Sequence, residues 1–262
     1  MEPKASKKSP GKLLPRAFFE APSERVARRL LGKVLAHRTR LGWICGRVVE
    51  VEAYLGPHRQ PADPAAHAHR GPTPRNQLLF GPAGHAYVYS IYGRCFCMNV
   101  SCEPEGRAGC VLLRALEPLE GLAQMARNRG LIAVSPSAPA PQTFRAVGQM
   151  GGRPLSLRDL TGGPGRLCQA LAITRPACNG LDLLDPGSPL QLADDGYRAG
   201  RVVATPRIGI RHAVNLPLRF FLQGNPCVSG PRRAADASFC PPVPSTKSRR
   251  MPAAAWDGRQ ED

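Results

Sequence analysis

RVVEVEAYLG, residues 47–56, is the stretch that decides how this chain folds. Apolar and polar side chains alternate through it with period two, as in a strand that turns one face to a core. From Val48 to Tyr54 the alternation sets Val49, Val51 and Ala53 on one face and Glu50, Glu52 and Tyr54 on the other. Two carboxylates about 7 Å apart on one sheet face repel each other. That favours a proton on one of them, and it suits a water-activating base or a metal site. A solvated strand face explains the same pattern, and this motif alone favours that plainer account.

Chemistry-bearing residues cluster just beyond it, in DPAAHAHRG (63–71), TPRN (73–76), HAYVYSIYGRCFCMNVS (85–101) and CVLLRALEP (110–118). His67 and His69 have ligand-like spacing, with Asp63 and Glu52 as further donors, but surface histidines explain a lone H-x-H more often. The zinc deaminase and H-E-x-x-H signatures are absent. Four of the five tyrosines, Tyr54, Tyr87, Tyr89 and Tyr92, lie in the same span. Tyr87 and Tyr89 share one strand face, where core filling is the ordinary use of tyrosine. Tyr92 falls at the turn of a hairpin, where an aromatic suits a wedge between bases or a stacking platform. Thr161–Gly165 precedes a helix and resembles a phosphate cradle, with Gly163 and Gly165 in the turn and Arg166 beside it.

The elements around these motifs follow from periodicity and breakers. Ser23 is placed to cap a helix carrying Val26, Ala27, Leu30 and Leu31 on one face, stopped by Gly32. Strands are expected at Val34–His37, Trp43–Tyr54, His85–Ile91, Cys95–Ser101 and Cys110–Leu116, and a helix over Leu119–Arg129. Further strand pieces are expected at Pro189–Leu192 and Leu218–Leu222, with ATPRIGIRHA (204–213) between them as a basic connector. Residues 1–14 read as a disordered basic tail and 231–262 as a second, polar tail. Residues 132–157, rich in Pro, Ala, Ser and Gly, read as a mobile insertion within a domain spanning 15–230. The fold class expected is α+β: one mixed domain with a mainly antiparallel sheet and flanking helices.

Composition narrows the partner. The formal charge is +17, from 36 basic and 19 acidic residues, which favours a polyanion: nucleic acid or an anionic membrane surface. Only six basic residues are lysines, and of these Lys33 alone lies away from the ends, so an amine nucleophile has few candidates. The nine cysteines include no C-x-x-C pair, which argues against a structural zinc site. With no secretory signal, they read as reduced thiols of an intracellular, soluble protein. No apolar run approaches the roughly 18 residues of a membrane span.

VEVEAYLGP, DPAAHAHRG, TPRN, YVYSIYG, FCMNVS and CVLLRALEPLEGL together resemble the alkyladenine DNA glycosylase family, also called 3-methyladenine or N-methylpurine DNA glycosylase. LPRAFFEAPSERVARRLLGKVL upstream, and GPGRLCQALAI, RIGI and PLRFFLQGNP downstream, extend the resemblance over most of residues 13–230. It implies that Glu52 deprotonates the water attacking C1′ of the sugar and that Arg114 helps hold that water. It implies that Tyr54, His67 and Tyr89 sandwich a flipped purine, and that Asn99 crowds the exocyclic amine of normal guanine. Tyr92 would enter the minor groove from a protruding hairpin, and Arg75, Gly163, Gly165 and Arg166 would meet the DNA backbone. The implied activity is monofunctional excision of 3-methyladenine, 7-methylguanine, hypoxanthine and ethenoadenine from double-stranded DNA. No metal or organic cofactor is implied, and the protein would act as a monomer in the nucleus, with the mitochondrion as a second compartment.

Base excision from a duplex needs flipping, an aromatic pocket and a general base, and these residue types supply them. Two departures stand out: Cys95 takes a hairpin position where the family has an aromatic, and residues 132–157 replace a better-ordered segment. Two other classes remain open: a metal-dependent nuclease using Glu50, Glu52, Asp63 and His67, and a non-enzymatic nucleic-acid-binding protein.

Overall fold

The computed structural model describes residues 10–91, 93, 95–134, 143–147 and 154–230. A two-residue strand, β1 (Lys12–Leu13), pairs with a later strand, and Leu14 is buried, so the domain begins before Pro15. Helix α1 (Ser23–Leu30) buries Val26, Ala27 and Leu30. Pro22, not Ser23, takes its cap position. Proline presets a helix-compatible φ, and Ser23 is drawn into the first turn. β2 (Val34–Thr39) and β3 (Gly42–Tyr54) then form a hairpin, followed by β4 (Ala86–Ile91), β5 (Cys95–Cys102) and β6 (Gly109–Glu120).

β6 runs four residues further than the sequence pattern suggests, and α2 (Leu122–Asn128) starts only after Gly121. The cause is tertiary: β3 is long enough to offer Glu120 a partner at Cys45. β7 (Leu131–Ala133), β8 (Thr143–Ala146) and β9 (Leu155–Ser156) form a small sheet of their own. Of the insertion expected at 132–157, the described residues carry these three short strands, and 135–142 and 148–153 lie outside the described residues. Phe144 is fully buried, and one such anchor suffices where periodicity is absent. The remaining elements are α3 (Leu157–Thr161), α4 (Pro164–Ala170), α5 (Arg175–Cys178), β10 (Leu190–Asp194), β11 (Val202–Thr205) and β12 (Arg219–Leu222).

The main sheet runs β1-β10-β2-β3-β6-β5-β4, with β12 on β3 and β11 on β12, and every pairing is antiparallel. The 13 residues of β3 make it the spine. One edge pairs with β2 over Gly42–Arg47 and with β12 over Glu50–Glu52; the other pairs with β6. Val49, Val51 and Ala53 face the apolar core, which α1, α2 and α4 help to close. The result is a single α+β domain with a mainly antiparallel sheet. β4 and β5 pair from Ala86↔Val100 to Ile91↔Cys95. Tyr92, expected as the wedge at their turn, and Arg94 lie outside the described residues, as do most of both expected tails. Among the described residues, no helix is long and apolar enough to cross a membrane.

Candidate active site

A cavity of about 440 Å³ opens beside the polar face of β3. That volume is within the roughly 300–1,000 Å³ usual for small-molecule pockets. Glu52, Tyr54, His67, Tyr89, Asn99 and Arg114 all line it. The β3-β6-β5-β4 order of the sheet brings Glu52, Tyr54, Arg114, Asn99 and Tyr89 together, and the 63–76 loop adds His67.

Glu50 and Glu52 are both fully buried, so the solvated-face account of the carboxylates fails. β12 pairs along the edge of β3 here, with Arg219 directly opposite Glu52 in the ladder, and the Ile208 and Ser229 N–H groups reach the two carboxylates. Glu52 Oε1 accepts the Ile208 N–H at 2.8 Å and lies 3.2 Å from Arg114 Nη1; Glu52 Oε2 accepts the Tyr54 hydroxyl at 3.0 Å. A buried carboxylate with three donors is held in one orientation, which a general base requires.

Arg114 reaches this position through a defect in the ladder. Val48 pairs with Leu116, Glu50 with Ala115, and Val51 with Leu113. Val49 is therefore the extra residue on β3 and Arg114 the extra residue on β6. Bulges of this kind re-aim a side chain. The guanidinium that results is buried, and burial pulls its pKa down, but Glu52 and Glu50 outweigh that and raise it on balance.

The aromatic wall is built from β3, β4 and the 63–76 loop. His67 and Tyr89 meet edge to face with ring centres 4.6 Å apart, and His67 Nδ1 is 3.0 Å from the Tyr87 hydroxyl. Burial, and then Arg75, lower the His67 pKa, which keeps the imidazole neutral near pH 7. Burial is also the main reason the Tyr54 and Tyr89 phenols are pushed up. Arg207 covers one side of the Tyr54 ring at 4.5 Å, which leaves the other for the cavity. Asn99 is buried on β5; it donates to the Tyr87 carbonyl at 3.2 Å and accepts from the Cys110 thiol at 3.7 Å.

Gly56 lets the chain leave β3 tightly, because a Cβ there would sit 1.7 Å from the Ala108 carbonyl oxygen. The loop carrying His67 is pinned by Asn76, whose amide donates to the His67 and Gly71 carbonyls. Arg75 is exposed, with its guanidinium carbon 5.9 Å from the Tyr89 ring centre.

The expected phosphate cradle is altered. Gly163, at φ +119°, donates its N–H to the Arg114 carbonyl at 2.9 Å and so buttresses the bulge. Gly165 packs against Cys95, whose Sγ a Cβ there would meet at 3.2 Å, so the small Cys95 accommodates the start of α4. Arg166 remains exposed, 3.4 Å from Asp159.

The three acids and the histidine that would serve a nuclease do not converge. Asp63 is spent on Arg207 in a two-pronged pair at 2.7 Å, Glu50 on Arg114 and Arg219, and His67 on Tyr87. Sequence reasoning missed Glu50, Asp63, Asn76, Arg207 and Arg219 as organisers of the site. Their sequence signal as organisers was their place inside the motifs VEVEAYLGP, DPAAH, TPRN, RIGI and PLRFF.

Comparison with known proteins agrees with this geometry. The methylpurine-DNA glycosylase (MPG) family profile matches residues 17–226. The chain is 48% identical over 219 residues to a Koribacter versatilis protein named "Putative 3-methyladenine DNA glycosylase", covering 84% of this chain and 94% of that one. Proteins of the same name from Burkholderia lata and Methanoculleus marisnigri are each 44% identical, covering 85% and 82% of this chain and 93% and 98% of theirs. These organisms are bacteria and an archaeon, which have no nucleus and no mitochondria, so the expected nuclear and mitochondrial location is overturned. The chain belongs to the methylpurine-DNA glycosylase family and is a DNA glycosylase, a hydrolase acting on methylated purines.

Proposed function

We propose that the protein is a monofunctional glycosylase that flips 3-methyladenine, 7-methylguanine, hypoxanthine and ethenoadenine out of double-stranded DNA and excises them, starting base excision repair as a monomer. The observation that carries this is Glu52: a buried carboxylate at a cavity walled by aromatic rings, held by Arg114, Tyr54 and the Ile208 N–H.

In this mechanism Glu52 takes a proton from water while the water oxygen bonds to C1′. The N-glycosidic bond breaks and its electron pair leaves with the purine. Arg114 orients water and carboxylate together. Tyr54 on one side and His67 with Tyr89 on the other sandwich the base. Purines methylated at N3 or N7 are cationic, which makes them better leaving groups and draws them to electron-rich rings by about 0.5–2 kcal/mol. A neutral His67 adds no repulsion. Asn99 rejects normal guanine by crowding its exocyclic amine. Tyr92 fills the space left in the duplex, and Arg75, Arg166 and the Gly165 turn contact the backbone. Attraction of the duplex to a chain of formal charge +17 supplies the non-specific part of the affinity. No step uses a lysine, a metal or a cofactor.

The test is single-turnover excision from hypoxanthine-containing and methylated duplexes. Glu52→Gln is expected to lose at least about 10²-fold in rate, the lower end for general-base removal. Near-wild-type excision by that variant would remove the base assignment.

A further inference from the structure

Glu50 takes no part in the mechanism above, and neither it nor Arg219 lines the cavity. Yet Glu50 is fully buried and Arg219 nearly so. Burying a carboxylate and a guanidinium away from a reaction site gives little net stability over well-packed apolar residues. The geometry suggests another use.

Glu50 Oε1 accepts from Arg114 Nε at 3.0 Å and from Arg219 Nε at 2.7 Å, and its Oε2 accepts from the Ser229 N–H at 2.5 Å. Arg219 is itself tied down, donating from Nη1 to Thr205 Oγ1 at 2.9 Å and from Nη2 to the Ser229 carbonyl at 2.8 Å. A guanidinium is rigid and planar, so anchoring Nε fixes where both terminal nitrogens point. With Nε on Glu50, Arg114 Nη1 is aimed at Glu52 Oε1. The bulge makes this orientation available, since Arg114 has no ladder partner of its own on β3.

We propose that Glu50 and Arg219 are positioning residues for base excision: a buried chain Arg219–Glu50–Arg114 that holds the Arg114 guanidinium against the general base Glu52. Continued to Glu52, the chain alternates two guanidiniums and two carboxylates, so removing Glu50 or removing Arg219 unbalances the charge near Glu52, with opposite sign. Thr205 and Ser229 anchor the far end, which makes the last described turn of the chain part of the active-site support. The proposal rests on Glu52 being the base. Loss of that reading is recognised separately, by activity in Glu52→Gln, whatever the variants below do.

Release of 3-methyladenine from methylated duplex, measured under single turnover across pH, tests it with Glu50→Gln, Arg219→Met and Arg219→Lys. Glu52 is faced by Arg114, Tyr54 and the Ile208 N–H, with Tyr89 and Cys97 nearby. All of these are unchanged in the three variants. Glu50→Gln removes a negative charge and is expected to move the acid limb of the rate profile to lower pH. Arg219→Met removes a positive charge and is expected to move it to higher pH. Both should lose about tenfold or more in plateau rate, while affinity for a duplex carrying an abasic-site analogue stays within about twofold. Arg219→Lys should restore the wild-type limb.

Wild-type plateau rates in Glu50→Gln and Arg219→Met would overturn the proposal. So would lowered rates with unmoved limbs, or limbs moving the same way, because packing alone would account for them. If Arg219→Met does not fold, Glu50→Gln decides by itself: its limb moves down with loss of rate, or the proposal fails.

Discussion

Asp63 and Arg207 face each other as a two-pronged ion pair, both side chains fully enclosed, with both oxygen–nitrogen distances at 2.7 Å. The pair ties three segments of the pocket together. Asp63 Oδ2 also accepts the Leu55 N–H at the end of β3, and Arg207 Nη1 donates to the Ala53 carbonyl while its guanidinium lies against the Tyr54 ring. The loop leading to His67 begins at Asp63, and the next residue after Arg207 supplies the N–H that holds Glu52. A candidate metal ligand in the sequence is thus an architectural residue in the fold.

Removing one partner of such a pair leaves a buried charge unmatched, at about 3–5 kcal/mol. Asp63→Asn is expected to lower unfolding stability in urea by that amount. A loss below about 1 kcal/mol would mean the pair is not the clasp described.

Asn99 is held by the Tyr87 carbonyl and the Cys110 thiol, so its amide cannot swing aside to admit a bulkier edge. Asn99→Ser is expected to raise release of unmodified guanine from plain duplex by roughly tenfold, the lower end of what one steric contact discriminates. Hypoxanthine excision should change little. Equal guanine release by both proteins would take the gatekeeping role from this residue.

Phe144 carries the packing of the β7-β8-β9 sheet. Phe144→Ala should cost about 3–5 kcal/mol in a denaturant titration, the usual range for a core phenylalanine. A neutral result would mean that Phe144 does not anchor this sheet.

Tyr54, Tyr87 and Tyr89 have phenols raised above their ordinary 10.0, chiefly by burial. A raised folded pKa contributes stability that is fully present below the unfolded value and is lost as pH rises through the folded one. Stability from these three groups is therefore intact up to about pH 10 and declines above it. In an alkaline titration followed by tyrosinate absorbance, they should ionise together with loss of structure. Reversible ionisation near pH 10 in the intact fold would contradict this.

For Tyr92 the expectation concerns DNA alone. Tyr92→Ser should weaken gel-shift affinity for a duplex with an abasic-site analogue by about tenfold or more, since stacking of one base on an aromatic is worth about 1–3 kcal/mol. Affinity equal to wild type would remove the wedge role.

The strands around the site were legible because period-two patterning survives in Val48–Tyr54 and Ala86–Ile91, and because Cys110–Leu116 is a nearly unbroken apolar run, as a buried central strand requires. Glu52, Tyr54, His67, Tyr89, Asn99 and Arg114 were legible as a set through family motifs, and one cavity gathers them. Local pattern misled where a partner from elsewhere decided the outcome. Leu119 and Glu120 joined β6 because β3 offered them an edge, and β7, β8 and β9 pair around the buried Phe144.

The sequence by itself determined which residues alternate on β3 and that a basic chain carries carboxylates, histidines and tyrosines within one span. Alternation left Glu50 and Glu52 equivalent, because it puts both on the same face, and the family resemblance alone pointed to Glu52. The tertiary structure gives the two carboxylates different surroundings. The segments carrying Ile208 and Ser229 close over that face, and a bulge turns Arg114 into it. Glu50 is closed in by Arg114, Arg219 and Ser229, while Glu52 alone of the two lines the cavity. The physical reason is that a carboxylate's role depends on what surrounds it, and those surroundings include Ile208, Arg219 and Ser229, each more than 150 positions away along the chain.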